Sequence, residues 1–306
     1  MRIMVTGASG QVGGALAKVL ARSGNVVPTG RSEFDLAQPN LIAPALDRIR
    51  PDLIVNPAAY TAVDRAEDEK ELAFRVNAEA PAVMARWAAD HRVPLIHFST
   101  DYVFDGTATR PWQEDDPTNP LSTYGASKLA GENAVRSAGG EHLIIRTSWV
   151  YAALGQNFLR TIERLAQERK ELRIVADQVG APTSAQLIAD ALPVVLGMSG
   201  TPIGVQFGLP GGTINVAASG ETTWYGFAVA IVEGLKSRGM PLAVERIIPI
   251  ATEDYPTKAR RPKNSRLDLT KLRKTFGIST PAWENALSVE LDQLLTKGRS
   301  ATSGQK

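Results

Sequence analysis

Tyr124 and Lys128 stand four residues apart in the segment Tyr124-Gly125-Ala126-Ser127-Lys128. On a helix that spacing puts both side chains on one face, one turn apart. An ammonium beside a phenol favours the phenolate and is expected to lower the phenol's pKa from about 10. A phenol tuned in this way exchanges a proton with a carbonyl or carbinol oxygen. Thr100 lies in Ser99-Thr100-Asp101-Tyr102-Val103-Phe104-Asp105-Gly106. Its hydroxyl can donate to a substrate oxygen; the plainer reading is a turn-forming hydroxyl. A third motif, Gly7-Ala8-Ser9-Gly10-Gln11-Val12-Gly13, is a G-x-x-G-x-x-G variant of the dinucleotide fingerprint. Glycine permits the tight turn, the backbone can approach a pyrophosphate, and a helix N-terminus offers unpaired amides to the anion. Its plainer reading is an ordinary glycine-rich turn.

The elements that must hold these groups follow from hydrophobic periodicity. Ile3-Met4-Val5 is a short apolar run ended by glycine and reads as a buried strand. Val12, Leu16, Val19 and Leu20 recur at helical spacing over 11–23, and Gly24 stops that helix. Further strands are expected at 26–27, 53–55, 95–98 and 143–145, and helices at 41–49, 69–91 and 124–137. These strands are apolar on both faces, as in a parallel sheet covered on both sides. The alternation predicts an α/β, Rossmann-like doubly wound sheet. It places the glycine motif at the first strand–helix junction, Thr100 at the carboxyl end of the fourth strand, and Tyr124 at the start of the next helix.

The second half is less regular. Helices are expected at 158–169, 184–196, 223–238, 269–276 and 283–295, strands at 173–175, 214–216 and 244–250, and a glycine- and proline-rich loop at 197–212. The expected organisation is a dinucleotide-binding domain over 1–150, with returning elements near 184–197 and 213–238. A smaller, discontinuous C-terminal substrate domain takes 151–183 and 239–296. The polar stretch 297–306 is read as a disordered tail.

Composition narrows the classes. Thirty-four basic against 32 acidic residues give no case for nucleic-acid binding. The absence of cysteine excludes disulfides, thiolate metal sites and a cysteine nucleophile. No stretch approaches the roughly 18 apolar residues of a membrane span. Met1-Arg2-Ile3-Met4-Val5 runs into Thr6-Gly7, too short an apolar run for a secretory peptide, so the expected location is cytoplasmic. His91, His97 and His142 are scattered, and His97, within a buried strand, reads as a core histidine. Glu67 to Glu71 reads as a solvated helix start. After the second strand comes Gly30-Arg31-Ser32, with acids only at Glu33 and Asp35. An arginine there suits the 2′-phosphate of NADPH, an acid the 2′-hydroxyl of NADH. Arg31 therefore favours NADPH, with NADH possible; its plainer reading is a surface charge.

Together these residues resemble the extended short-chain dehydrogenase/reductase family over nearly the whole chain. The segments that carry the likeness are Gly7 to Gly13, Asn56 to Asp64, Val76-Asn77, Ser99 to Gly106, Tyr124 to Lys128, Arg146 to Tyr151, Gly180 to Thr183 and Arg261 to Asp268. The resemblance implies reduction of the C4 ketone of a nucleotide-bound 4-keto-6-deoxysugar, dTDP-4-dehydro-L-rhamnose. In it hydride comes from the nicotinamide, Tyr124 gives the proton, Lys128 holds the nicotinamide ribose and tunes Tyr124, and Thr100 binds the C4 oxygen. It implies cofactor contacts from Gly7, Ser9, Gly10, Gln11, Val12, Gly13, Arg31, Asp35, Leu36, Ala58, Ala59 and Tyr60, besides Tyr124 and Lys128. Substrate contacts are implied for Thr100, Asp101, Tyr102 and Trp149, although Trp149 by type alone reads as core.

Related 4,6-dehydratases look like Thr-Asp-Glu where this chain has Thr100-Asp101-Tyr102, and Tyr102 lacks the carboxylate that elimination needs. Some family members are described as magnesium-bridged dimers. Of three positions that match their glutamates, Ala15 and Gln186 have lost the acid and only Glu284 keeps it, so no metal and a monomer or non-magnesium dimer are expected. Two other roles stay open: a non-catalytic NADP-binding subunit of the methionine adenosyltransferase type, and a reductase of another nucleotide 4-keto sugar. Also open are the run Arg260 to Lys263, which could meet a pyrophosphate, and the 105–120 loop. There, Trp112 with Glu114-Asp115-Asp116 could cover the site.

Overall fold

The computed structural model of the chain describes residues 1–198 and 212–303, with 297–303 given by backbone alone. Alternating apolar and amphipathic runs fold the first half into β1 (Arg2–Thr6), α1 (Gln11–Leu20), β2 (Asn25–Thr29), α2 (Ile42–Ile49), β3 (Leu53–Asn56), α3 (Val63–Ala66), α4 (Lys70–Phe74), α5 (Ala80–His91), β4 (Leu95–Thr100), α6 (Thr123–Ser137) and β5 (His142–Thr147). The second half adds β6 (Val150–Tyr151), α7 (Phe158–Glu168), β7 (Glu171–Val175), β8 (Val179–Gly180), β9 (Thr183–Ser184), α8 (Ala185–Val195), β10 (Gly212–Asn215), β11 (Thr222–Thr223), α9 (Trp224–Ser237), β12 (Arg246–Ile250), α10 (Thr270–Phe276) and α11 (Trp283–Ser303).

Six strands pair in parallel in the order β2-β1-β3-β4-β5-β10. Both faces are buried because successive residues of a strand feed opposite cores: Ile3 and Val5 enter one apolar cluster, Met4 the other. The expected doubly wound α/β class is thus the observed one. Pro28 sits in β2, an edge strand, where its missing N–H costs no ladder bond. Chain order reverses at β1, which lies between β2 and β3, and the crevice beyond these carboxyl ends is where such sheets take ligands. β10 closes the far edge of the sheet, and α8 packs on α1. β7 and β12 form a separate parallel pair against α9.

Two expectations change. The helix read as continuous over 69–91 is broken by a π-turn at Arg75–Glu79. There Asn77 accepts from the Tyr60 amide at 2.8 Å and donates to the Tyr60 carbonyl at 3.0 Å and to Ser127 Oγ at 3.0 Å. Such bulges often mark functional sites. The last helix runs to Ser303, through most of the stretch read as a disordered tail; no proline interrupts it, and propagation adds a backbone bond per residue. Of the loop expected at 197–212, residues 199–211 lie outside the described residues, as do 304–306. Among the described residues no helix is long and apolar enough to cross a membrane.

Candidate active site

Beyond the carboxyl ends of β1, β3, β4 and β5 opens a cavity of about 790 Å³. A second cavity of about 460 Å³ adjoins it, and the two share Gly7, Arg31, Ala58, Ala59 and Thr61. On one side lies the glycine loop. Gly7 takes φ +57°, a left-handed conformation that side chains rarely adopt. A Cβ on Gly13 would fall 2.2 Å from the Gly7 carbonyl oxygen, so only glycine lets α1 start this close to the turn. Gly10 caps α1 without a side-chain bond, which leaves the helix's first amides to an anion. This backbone cradle fits a dinucleotide pyrophosphate. Ser9, Gly10, Gln11 and Val12 line the main cavity, Asp35, Leu36 and Tyr60 the second, and Arg31, Ala58 and Ala59 both. Gly13 lines neither; its part is helix–strand packing.

The 57–60 wall is tied to the sheet. Thr6 Oγ1 donates to Asn56 Oδ1 at 2.6 Å and accepts from the Ala58 amide at 3.2 Å. Asn56 also contacts His97 Nδ1 at 3.1 Å. His97 is fully buried in β4, and burial, with Lys128 adding to it, holds its pKa well below the ordinary value; it is a neutral core residue. Among the described residues no His, Asp and Glu cluster could hold a metal ion.

Opposite the glycine loop, Thr100, Asp101 and Tyr102 leave the end of β4, and Tyr124 and Lys128 face the same cavity from α6. Ser122 caps α6, accepting from the Gly125 amide at 3.2 Å, so the helix begins just before Tyr124. Burial pushes the Tyr124 phenol up to about 12, against a hydrogen bond from Thr100 that lowers it. Lys128 turns its ammonium to the Phe98 carbonyl oxygen at 2.6 Å. The expected lowering of the Tyr124 pKa is therefore absent: desolvation dominates, and the phenol stays protonated. Burial also draws Lys128 down to about 8, with Glu132 opposing. Asp101 rises to about 6 because it is buried, although Ser265 and Thr100 bond to it. Burial raises the Tyr102 phenol as well, and Asp101 raises it further. Tyr102 and Tyr124 meet edge to face, ring centres 5.5 Å apart.

Trp149 takes φ +48°, an outlier for a bulky residue. Its indole stacks on Trp224 at 3.7 Å and fills the space over Gly180, where a Cβ would come within 2.5 Å of the ring. Trp224 lies between the main cavity and a third, of about 610 Å³, which is lined by Phe158, Gln178 and Arg261 among others. Trp149 is half-buried and lines the main cavity rather than the core.

Several lining residues were not named as site residues from the sequence: Pro57, Thr61, Ser99, Thr147 and Ser148, which lie within the segments noted there, and Gly155, Asn157 and Trp224, which do not. Asn157 reaches the glycine loop, donating to Gln11 Oε1 at 2.9 Å. Trp224 carries no local signal; it follows from stacking across 75 residues of sequence. Arg261 pairs with Asp64 Oδ2 at 2.6 Å, joining two of the segments noted in the sequence. The 105–120 loop does not cover the cavity. Trp112 is buried, stacks on Phe104 at 4.5 Å, and donates through Nε1 to the Asn264 carbonyl at 3.1 Å. Backbone bonds in both directions between Trp112 and the 266–268 strip hold the loop against the side of the fold.

The chain matches the family described as RmlD substrate binding domain over residues 1–296. It is 49% identical over 303 residues to a dTDP-4-dehydrorhamnose reductase of Burkholderia thailandensis, covering 97% of this chain and 100% of that one. Among solved structures it is similar to a dTDP-4-dehydrorhamnose reductase of Clostridium acetobutylicum, with TM-score 0.87, 35% identity and coverage of 96% of this chain and 100% of that one. A dTDP-4-dehydrorhamnose reductase of Bacillus anthracis, solved in complex with NADP, has TM-score 0.86 at 32% identity, covering 95% of this chain and 99% of that one.

Proposed function

The chain belongs to the RmlD substrate-binding-domain family, and from that premise we propose that it reduces the C4 ketone of dTDP-4-dehydro-L-rhamnose to dTDP-L-rhamnose, with NADPH as the preferred cofactor. The observation that carries the reading is the convergence of Thr100, Tyr124 and Lys128 on one cavity whose other wall is a glycine loop at a helix N-terminus.

A bound dinucleotide would be held by the loop amides, Ala58, Ala59, Arg31 and Lys128, and would supply the hydride. The protein's own part is to orient the ketone and deliver a proton. Thr100, next to Tyr124 and at the end of β4, would turn its hydroxyl from Asp101 Oδ1, to which it donates at 3.1 Å in the free protein, to the C4 oxygen. Negative charge that develops there draws the Tyr124 proton. A phenol raised to about 12 is still far more acidic than a sugar alcohol, so transfer to the alkoxide runs downhill. Lys128, at about 8, remains mostly charged at neutral pH and offsets the charge left on the phenolate. Tyr102 stands where elimination chemistry needs a carboxylate; burial keeps its phenol protonated, which supports reduction over dehydration. Trp149 gives an aromatic face to the apolar side of the deoxysugar. In this reading residues 1–150 with the elements near 184–197 and 213–238 hold the cofactor, and 151–183 with 239–296 hold the nucleotide sugar.

The test is NADPH oxidation with dTDP-4-dehydrorhamnose generated in place, compared with Tyr124→Phe. Wild type should show substrate-dependent oxidation, and the variant should lose about 10²–10⁴-fold in turnover with dinucleotide affinity retained. Equal rates would remove Tyr124 from the mechanism. Cofactor binding without turnover on any 4-keto sugar would favour the non-catalytic subunit.

A further inference from the structure

The turn after β2 presents three groups suited to a phosphate monoester: the Gly30 amide, the Ser32 hydroxyl and the Arg31 guanidinium. In this fold the end of the second strand faces the adenosine ribose, and Gly30 and Arg31 line the second cavity. Two of the three groups are engaged by a neighbour. Glu33 folds back over the turn: its Oε2 accepts from the Gly30 amide at 3.0 Å, and its Oε1 accepts from Ser32 Oγ at 2.6 Å. The backbone shapes the turn for this, since the Glu33 and Phe34 amides both donate to the Gly30 carbonyl, at 3.3 and 2.9 Å. Asp35, the other acid nearby, is committed elsewhere. It accepts from the Ala37 amide at 3.0 Å and from Gln38 Nε2 at 3.3 Å.

We propose that Glu33 sets the balance between NADPH and NADH by placing its own carboxylate on the donors that a ribose 2′-phosphate would use. The inference rests on the dinucleotide reading above. A 2′-phosphate reaching Arg31 has to displace the carboxylate from Gly30 and Ser32 and then bear a like charge beside it. A 2′-hydroxyl is neutral and carries no such penalty. The hydrogen bonds from Ser32 and Gly30 hold Glu33 below the ordinary carboxylate range, so it is charged wherever the enzyme would work. Arg31 and Glu33 thus act in opposite directions on one atom of the cofactor, and the chain's preference is their difference.

The test is direct titration of the full-length protein with NADPH and with NADH, followed by nicotinamide fluorescence, without turnover. Glu33→Gln should tighten NADPH about three- to tenfold, the scale of relieving one exposed like-charge contact and freeing one donor, and leave NADH within about twofold, because a neutral 2′-hydroxyl meets no like charge to relieve. Arg31→Ala should weaken NADPH about tenfold and leave NADH unchanged, which establishes where the 2′-phosphate lies. An unchanged NADPH-to-NADH ratio in Glu33→Gln, beside a shifted ratio in Arg31→Ala, overturns the role of Glu33 alone. Loss of NADH affinity in Glu33→Gln also overturns it, since the carboxylate would then be a ribose ligand. If wild type binds neither dinucleotide, the cofactor reading falls with it. Glu33 is exposed, so neither folding nor core packing confounds the comparison.

Discussion

The glycine-loop wall of the cavity comes from one stretch of chain, residues 7–13, and acts through amides and the space left by missing side chains. The opposite wall is gathered from the ends of β4 and β5, from α6 and from α9, and acts through side chains that ionise. The first carries no charge and leaves the first amides of α1 open to the cavity. The second buries an acid at about 6, an amine at about 8 and a phenol at about 12, each displaced mainly by desolvation. A backbone anion site is made by the fold itself, whereas a proton-handling site is made against it, and stability must come from somewhere behind it.

Behind it stands Arg146. This residue of β5 is 2% exposed, donates through Nε and Nη2 to both oxygens of Glu132 at 2.8 and 2.7 Å, and reaches the Glu114 carbonyl at 2.9 Å. Burial alone would raise Glu132, yet the Arg146 guanidinium holds it below the ordinary value. Glu132 lies one helical turn beyond Lys128, so the pair fixes the face of α6 that carries Tyr124 and Lys128. Arg146→Ala leaves the buried Glu132 with Arg136 alone, at 2.7 Å, and should cost more than about 1 kcal/mol in urea unfolding but less than the roughly 3–5 kcal/mol of a wholly unpaired buried charge. It should also lower turnover more than dinucleotide affinity. A loss below about 1 kcal/mol would remove the contrast between the walls.

Asp101 gives the next largest effect, of opposite sign. Its pKa rises from 3.8 to about 6 on folding. Between those values the folded chain binds more protons than the unfolded one, so stability falls as pH rises through that window, and the full penalty is present above it. Asp101→Asn should therefore be more stable than wild type by about 1–3 kcal/mol at pH 7, with the difference fading toward pH 4. Activity should fall, because Thr100 loses its charged partner. Thermal unfolding of both proteins across pH 4–7 decides it. A constant difference over that range would mean that the gain is not electrostatic.

The same contrast explains what the sequence revealed. The glycine loop was legible because its seven residues are contiguous and their spacing is the mechanism. Tyr124 and Lys128 were legible because a helix converts a spacing of four into a shared face. The strands were legible because both faces are apolar. Trp224 and Asn157 were not, since each reaches the cavity by packing across distant chain, and its type is equally at home in a core or a cap. The sense of the Tyr124 shift was also missed. A neighbouring lysine can be read from spacing, but the depth of burial that outweighs it is a property of the whole fold. Trp112 looked like a cover for the site, and only its bond to Asn264 shows that it faces away.

Asn157, at the start of α7, bonds to the glycine loop, and its removal gives the smallest effect. Asn157 Nδ2 donates to Gln11 Oε1 at 2.9 Å, while its Oδ1 caps α7 by accepting from the Arg160 amide at 3.1 Å. Asn157→Ala loses both functions and should cost about 1 kcal/mol from the cap alone. Asn157→Ser keeps the cap, because serine caps well, but is too short to reach Gln11 or the Ala152 carbonyl that Nδ2 also meets at 2.8 Å. Its unfolding midpoint should stay near wild type, within about 0.5 kcal/mol, while dinucleotide affinity falls about two- to fivefold, the worth of one partly exposed hydrogen bond. Isothermal titration on the two variants reads the difference. Wild-type affinity in Asn157→Ser would mean that the glycine loop is shaped by its own backbone alone. The walls would then be not merely different in make but independent in action.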